Sequence, residues 1–215
     1  MKPNHLSSFN CMLPWIGKHY SKEGHLRLLV LGESHYFPSG SHKHLNSEDW
    51  YSRLSMKDLN EDEISYISTA DIVNEAIDTN FKIKPFGIFR EINKILSDQM
   101  SGSKSEKGIY HCMFMNFFQR PAQEEGDSIQ EDDNDIQIAK ETLEWVLSEY
   151  KPVLVAVVSK KAGGYVSTVL DKCSMPYCIT PHPTCAWWNR SAKSYGNKYG
   201  REILPAFLKS QKWAK

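Results

Sequence analysis

The sequence predicts an α/β protein, a three-layer α/β/α sandwich with a mainly parallel four-stranded central sheet. Short apolar runs that fit strands buried on both faces recur at 28–31, 109–115, 153–158 and 177–180. Segments with helical spacing of apolar residues separate these runs, which is typical of βαβ units. Right-handed crossovers would bring the carboxyl ends of all four strands to one edge of the sheet.

Composition limits the class of protein further. The 215 residues suffice for a sizeable core, and we predict a single domain over 1–215. Because 26 basic residues balance 26 acidic ones, the overall charge gives no general argument for nucleic acid, although a local basic groove is compatible with it. The 5 scattered cysteines form no CxxC pair, and residues 1–10 lack an apolar signal core. Because these cysteines indicate no disulfide framework, we predict a protein of the reducing cytoplasm. No stretch is long enough to span a membrane.

The first predicted strand, 28–31, is followed by a glycine and four polar or aromatic side chains. These residues are Gly32, Glu33, Ser34, His35 and Tyr36. Ligands of open α/β sheets bind at the carboxyl ends of strands, and glycine permits a sharp turn or a close approach there. The segment therefore predicts either a site of chemistry or a tight turn with ordinary polar residues.

Helices are predicted between the first two strands. The loop at 35–44 contains three histidines, but no Cys or carboxylate completes a metal-ligand spacing, so we interpret it as a polar loop. Ser47 and Asn60 are predicted N-caps before acidic first turns. Apolar spacing continues the second of these helices through Ile77, and Pro85 opens a third. A flexible turn at 101–105 is predicted to end that third helix.

The middle of the chain combines a strand, an acidic run and a helix. The strand at 109–115 runs into Asn116 and must end before Pro121, which cannot extend a ladder. Between 123 and 135 the chain has seven acidic residues and no basic one, which predicts a solvated, mobile loop that would repel DNA. An amphipathic helix is predicted over 136–147.

The last third of the sequence predicts two more strands, each followed by polar residues. The valine-rich run at 153–158 leads into Ser159 and Lys160, and then into a helix through Leu170. The strand at 177–180 leads into His182, and a last helix is predicted from about Ser191 to Lys209. Polar side chains therefore follow every predicted strand, and we expect them to meet in one cleft.

The order of these motifs resembles the uracil-DNA glycosylase superfamily over about 13–208. The first family motif, Gly-Gln-Asp-Pro-Tyr or Gly-Glu-Ala-Pro-Gly, corresponds to GESHY at 32–36. The family strand that ends in a base-reading Asn corresponds to the strand ending at Asn116, and its valine-rich strand to 153–159. Its last motif, which begins His-Pro-Ser, corresponds to His-Pro-Thr at 182–184 and the loop that follows.

The resemblance implies an enzyme that hydrolyses the N-glycosidic bond of a flipped uracil or related damaged base in DNA. His182 would donate to a base oxygen as negative charge develops on it, and Asn116 would read the amide edge of the base. Tyr36 would exclude a thymine methyl and Phe37 would stack on the ring, while Gly32 and His35 would complete the base pocket. Contacts to single- or double-stranded DNA would come from Pro183, Thr184, Trp187, Trp188, Arg190 and Lys160. We predict neither a cofactor nor a metal.

The departures from the family pattern suggest alternatives. Ser34 replaces the water-activating Asp and is no general base at neutral pH, so Glu33 is the second candidate for orienting water. His35 replaces the usual Pro, and the four-cysteine cluster of the iron–sulfur branch is missing. A catalytically weakened relative that binds nucleic acid or nucleotide is therefore one alternative.

A second alternative is a Gly-Asp-Ser-type esterase. Ser34 would be its nucleophile, Asn116 would serve the oxyanion hole and His182 would be the base. Such families place Asp three residues before the histidine, where this chain has Ile179. The missing acid disfavours the esterase.

Overall fold

The structure is a computed structural model that describes residues 1–100, 106–124 and 126–214. It is mixed α/β with a mainly parallel central sheet, as predicted. The predicted turn at 101–105 lies outside the described residues. Among the residues that are described, we find no helix of the length and apolarity that crossing a membrane requires.

The central sheet has five strands rather than the predicted four, in the order β1-β3-β2-β4-β5. They are β1 (Trp15–Ile16), β2 (Leu28–Gly32), β3 (Cys112–Asn116), β4 (Leu154–Val157) and β5 (Tyr177–Ile179). Strands β2 to β5 pair in parallel, whereas β1 pairs antiparallel with β3 at the edge. The prediction missed β1 because two residues are too short to show a period.

Eight α-helices and one small hairpin surround this sheet in the described part of the chain. The helices are α1 (His5–Ser8), α2 (Ser47–Ser52), α3 (Glu61–Ile67), α4 (Thr69–Asp78), α5 (Gly87–Gln99), α6 (Asp133–Tyr150), α7 (Lys160–Leu170) and α8 (Gly200–Ser210). The hairpin consists of β6 (Ser191–Ala192) and β7 (Lys198–Tyr199).

Helices cover both faces of the sheet, because alternate strand residues point to opposite sides. On one face, Val30 and Phe114 pack in a core with α4, α5 and α8. On the other face, Leu31 and Met115 pack with α6 and α7. These strands are buried on both sides, which explains why they are almost continuously apolar in sequence.

The register places the carboxyl ends of the parallel strands side by side. Gly32 at the end of β2 pairs with Asn116 at the end of β3, and Leu31 pairs with Val157 of β4. Val157 in turn pairs with Ile179 of β5. The segments that follow β2, β4 and β5 therefore leave the sheet at the same edge, beside Asn116.

Three helix predictions were wrong. The N-cap of α2 is Asn46, whose side chain accepts the backbone N–H of Asp49, and not Ser47. The apolar spacing from 64 to 77 is interrupted at Ser68, whose backbone is extended and whose side chain caps α4. The last helix begins at Gly200 rather than Ser191, because the preceding residues form the hairpin. Gly196 and Asn197 adopt left-handed backbone angles there, which a helix does not allow.

The acidic segment at 123–135 is fixed to the protein at several points, contrary to the predicted solvated loop. Asp132 caps α6, which begins at Asp133. Asp135 is fully buried and pairs with Arg120, which is itself buried. Ile129 is also fully buried, in the core beside α6 and α7. Part of the acidic run therefore serves helix capping and a buried ion pair.

Candidate active site at the carboxyl edge of the sheet

A carboxylate is held where β2 and β4 end. The Ser159 hydroxyl donates to Oε2 of Glu33 at 2.6 Å. The same oxygen of Ser159 accepts the backbone N–H of Ala162 at 3.2 Å, in the first turn of α7. Because Ser159 is fixed as this helix cap, it fixes the orientation of the partly buried Glu33 carboxylate.

The imidazole of His182 is held in one tautomer. Its Nδ1 accepts the backbone N–H of Thr184 at 3.3 Å and lies 2.8 Å from the Thr184 hydroxyl. A backbone N–H can only donate, so Nδ1 is the unprotonated nitrogen and Nε2 carries the proton. Burial lowers the pKa of His182, although the charge of Glu33 acts in the opposite direction. The side chain is therefore a neutral donor at neutral pH.

Glu33 and His182 face one open cleft with a volume of about 920 Å³. The cleft is lined by the segments that follow β2, β4 and β5, by α7, by part of the acidic segment and by the hairpin region. Its lining residues are Glu33, Ser128, Glu131, Ser159, Lys160, Lys161, Gly164, Tyr165, Pro181, His182, Cys185, Trp187, Ala192, Lys193, Ser194 and Tyr195. The cleft thus combines two carboxylates, a neutral imidazole donor, three lysines and three aromatic rings, of which that of Trp187 is exposed.

Asn116 lies beside this cleft at the end of β3 but does not line it. Its side chain is nine-tenths buried, yet no described residue forms a hydrogen bond with its carboxamide. The carboxamide oxygen lies over Gly32, at a place where any side-chain Cβ on residue 32 would overlap it. Asn116 therefore presents its carboxamide at the same sheet edge as Glu33.

The remaining residues predicted to contact a ligand lie at varied depths. Ser34 is half-buried and Tyr36 is exposed, and neither lines the cleft. Pro183 is buried, whereas Thr184 and Arg190 are exposed. Of the residues predicted to bind DNA, Lys160 and Trp187 line the cleft, and the Trp187 side chain is 53% exposed.

The structure removes three residues from the predicted site. Phe37 is buried, and its ring packs edge-on against Trp50, so that it is not free to stack on a ligand. His35 is buried and its Nε2 lies 3.2 Å from the Thr69 hydroxyl. Trp188 is buried in the core beneath α8, with its indole N–H donating to Glu91 at 3.2 Å. These three side chains stabilise the fold instead.

Several cleft residues were missed by the motif comparison. Tyr165 stands four positions after Lys161 on α7, so both lie on the same face of that helix. Glu131 comes from the acidic run, which was interpreted only as a solvated loop. Lys161 was predicted as part of a local basic face, and a helical-wheel comparison of α7 would have placed Tyr165 beside it, whereas the position of Glu131 depends on tertiary folding.

Within the described ranges, no three His, Cys, Asp or Glu side chains are grouped in a way that could hold a metal ion. The five cysteines are all unpaired thiols. Burial raises the pKa of the Cys178 thiol to about 12 and that of Cys11 to about 11, so neither is a thiolate at neutral pH.

Comparison with protein-family models and with curated proteins gives no match for this chain. The case for a function therefore rests on the residues and geometry of the cleft.

Proposed function

We propose that this chain is a uracil-DNA-glycosylase-like hydrolase of N-glycosidic bonds, with the corresponding fold and with DNA as its partner. The observation that carries the proposal is the contact of the Thr184 backbone N–H with Nδ1 of His182. Thr184 holds Nδ1 as an acceptor, so that the Nε2 proton is available beside the Glu33 carboxylate in one cleft. A neutral donor can stabilise the departing base, and a fixed carboxylate can stabilise the sugar cation and orient the attacking water.

The proposed mechanism follows the charges of the reaction. As the N-glycosidic bond breaks, negative charge collects on the oxygens of the departing base and positive charge on the sugar. The Nε2–H of His182 donates to a base oxygen, which stabilises the anion as it forms. The carboxylate of Glu33 stabilises the sugar cation and orients the attacking water, since Ser34 is not basic enough to do so.

Recognition of the base is assigned to Asn116. Its carboxamide, at the end of β3 beside the cleft, offers one acceptor and two donors, which complement the alternating amide edge of a pyrimidine. The exposed ring of Trp187 offers a surface on which a neighbouring base stacks, and Lys160 and Arg190 supply positive charge for the phosphates. A base in a duplex must first be flipped out of the stack to reach this cleft.

A binding relative without turnover is the second candidate. The observation that favours it is Ser34, which stands where the family motif has the water-activating Asp and does not line the cleft, so that this role falls to Glu33. The esterase alternative loses support from the geometry of His182. The Nδ1 of His182 is bonded to Thr184 where a catalytic triad needs a carboxylate, and His182 and Ser34 share no hydrogen bond in the described structure.

Release of free uracil from a uracil-containing single-stranded oligonucleotide tests the proposal. We expect His182→Ala to lower the rate by about 10²- to 10³-fold, because it removes the donor that stabilises the leaving base. His42→Ala is the matched control, since His42 is exposed in the loop after β2 and does not line the cleft.

The outcomes separate the candidates. Equal release by wild type and His182→Ala would contradict the role assigned to His182. Binding of the oligonucleotide by wild type without any release would favour the binding relative. Melting curves of both variants establish that the fold survives the substitutions.

A further inference from the structure

In one wall of the cleft, two side chains of α7 bind the carboxylate of Glu131, one at each of its oxygens. The Nζ of Lys161 donates to Oε2 of Glu131 at 2.5 Å and also to the backbone carbonyl of Ile129. The hydroxyl of Tyr165 donates to the other oxygen, Oε1, at 2.8 Å. Both carboxylate oxygens are thus engaged by groups that project from α7.

These three side chains line the same cleft as Glu33 and His182. The side chain of Lys161 is 30% exposed and that of Glu131 is 13% exposed, so the pair is open to the cleft on one side. Burial disfavours the charge of Glu131, but the hydrogen bonds from Lys161 and Tyr165 prevail and lower its pKa. Glu131 is therefore an anion at neutral pH.

A cation and a hydroxyl that hold two oxygens of one anion are equally suited to two oxygens of a phosphate. Lys160 and Lys193 line the cleft nearby, so a bound phosphate would lie in a positive environment once Glu131 turned away. The surrounding segment need not move, because Ile129 is fixed in the core and Asp132 caps α6. Rotation of one side chain would suffice.

We propose that Lys161 and Tyr165 form a phosphate-binding site of the cleft, and that Glu131 is its internal occupant, displaced when a nucleic-acid backbone binds. This inference rests on the proposed function in one respect only, namely that the phosphate belongs to a nucleic-acid backbone. Because Glu131 must be displaced, its carboxylate competes with the phosphate of the ligand. The affinity of every ligand that uses this site is therefore lowered. The acidic segment then competes with the phosphates of a ligand at Lys161 and Tyr165. It does not repel DNA from the whole protein.

The test measures binding of a fluorescent, uracil-free single-stranded oligonucleotide by anisotropy at low salt. We expect Glu131→Gln to bind about three- to tenfold more tightly than Glu141→Gln. Glu141 lies on the exposed face of α6, so the control makes the same change in net charge away from the cleft. Adding Lys161→Gln to Glu131→Gln should remove the gain, because the cation of the site is then lost.

A second probe makes the result independent of nucleic acid. Inorganic pyrophosphate should raise the melting temperature of Glu131→Gln more than that of Glu141→Gln, because no carboxylate then competes with it for Lys161 and Tyr165. Equal oligonucleotide affinities and equal pyrophosphate shifts in the two variants would overturn the site, even if uracil release continued. A gain in affinity without base release by any variant would uphold the site and overturn the hydrolase.

Discussion

Because Gly32 at the end of β2 has no side chain, there is space for the carboxamide of Asn116 directly over its backbone. A Cβ at this position would overlap the carboxamide oxygen and would come within 3.1 Å of the Phe114 ring. The backbone of Gly32 is part of a regular parallel strand, so the requirement is one of space and not of unusual backbone angles. One glycine therefore connects the strand pairing of β2 and β3 to the position of a predicted base-reading group.

Gly32→Ala tests this connection. We expect a loss of about 1–3 kcal/mol in the free energy of unfolding, because Asn116 and Phe114 must shift to admit the methyl group. Urea denaturation measures the loss, and slower uracil release should accompany it if Asn116 reads the base.

Gly164→Ala is the control for this prediction. Gly164 lies in α7, and nothing stands within 4 Å of the position its Cβ would take. Alanine there should be neutral or stabilise the helix by up to about 1 kcal/mol. Equal stability of the two variants would contradict the spatial role of Gly32.

Elements of the structure differ in how much local sequence determines them. The strand β2 was predicted within one residue at its end and β4 within one residue at each end, because strands buried on both faces are continuously apolar. The hairpin of β6 and β7 was predicted as helix, because each strand has only two residues and both strands are largely exposed. Local pattern therefore predicts the strands of the core but not the small elements at its rim.

The same distinction holds for the candidate site. Glu33, Ser159 and His182 were predicted as strand-end residues, because the end of an apolar run is visible in sequence. The position of Glu131 was not predicted, because it depends on how the acidic segment folds back onto α7. The burial of Phe37 was missed for a similar reason, since its core is built by α1, α2 and α3 rather than by its own strand.

The junction between the acidic segment and α6 depends on one buried ion pair. The guanidinium of Arg120 donates to both oxygens of Asp135, and also to the backbone carbonyls of His44 and Gln130. Tyr51 adds a hydrogen bond to Asp135 at 2.9 Å. The ion pair thus joins the loop before α2, the acidic segment and the start of α6.

Arg120→Met should destabilise the fold by about 3–5 kcal/mol, because it leaves the buried Asp135 carboxylate without its cation. Denaturation in urea measures this loss. Arg53→Met is the control, since Arg53 pairs with Asp49 at 2.7 Å on the exposed side of α2 and should contribute less than about 1 kcal/mol. A similar small loss in both variants would contradict the anchoring role of Arg120.

Histidines in several parts of the fold have lowered pKa values, so that each of them favours unfolding in acid. Burial is the main cause that lowers the pKa of His5 to about 4, and burial alone lowers that of His35 to about 4. Burial also lowers the pKa of His25, His44 and His111. Because the unfolded chain binds these protons near pH 6.5 and the folded chain does not, acid favours unfolding.

The stability that these histidines contribute is complete above about pH 6.5 and is lost as the pH falls toward about 4. His5 and His35 should each lower the free energy of unfolding by about 1.4 kcal/mol per pH unit within that range. Urea titrations at several pH values measure this slope, and His35→Gln, which keeps a polar partner for Thr69, should reduce it. A free energy of unfolding that stayed constant between pH 7 and pH 5 would contradict this prediction. It would show that these imidazoles take up protons in the folded protein, and that they are less buried than their packing against Thr69 and Thr142 implies.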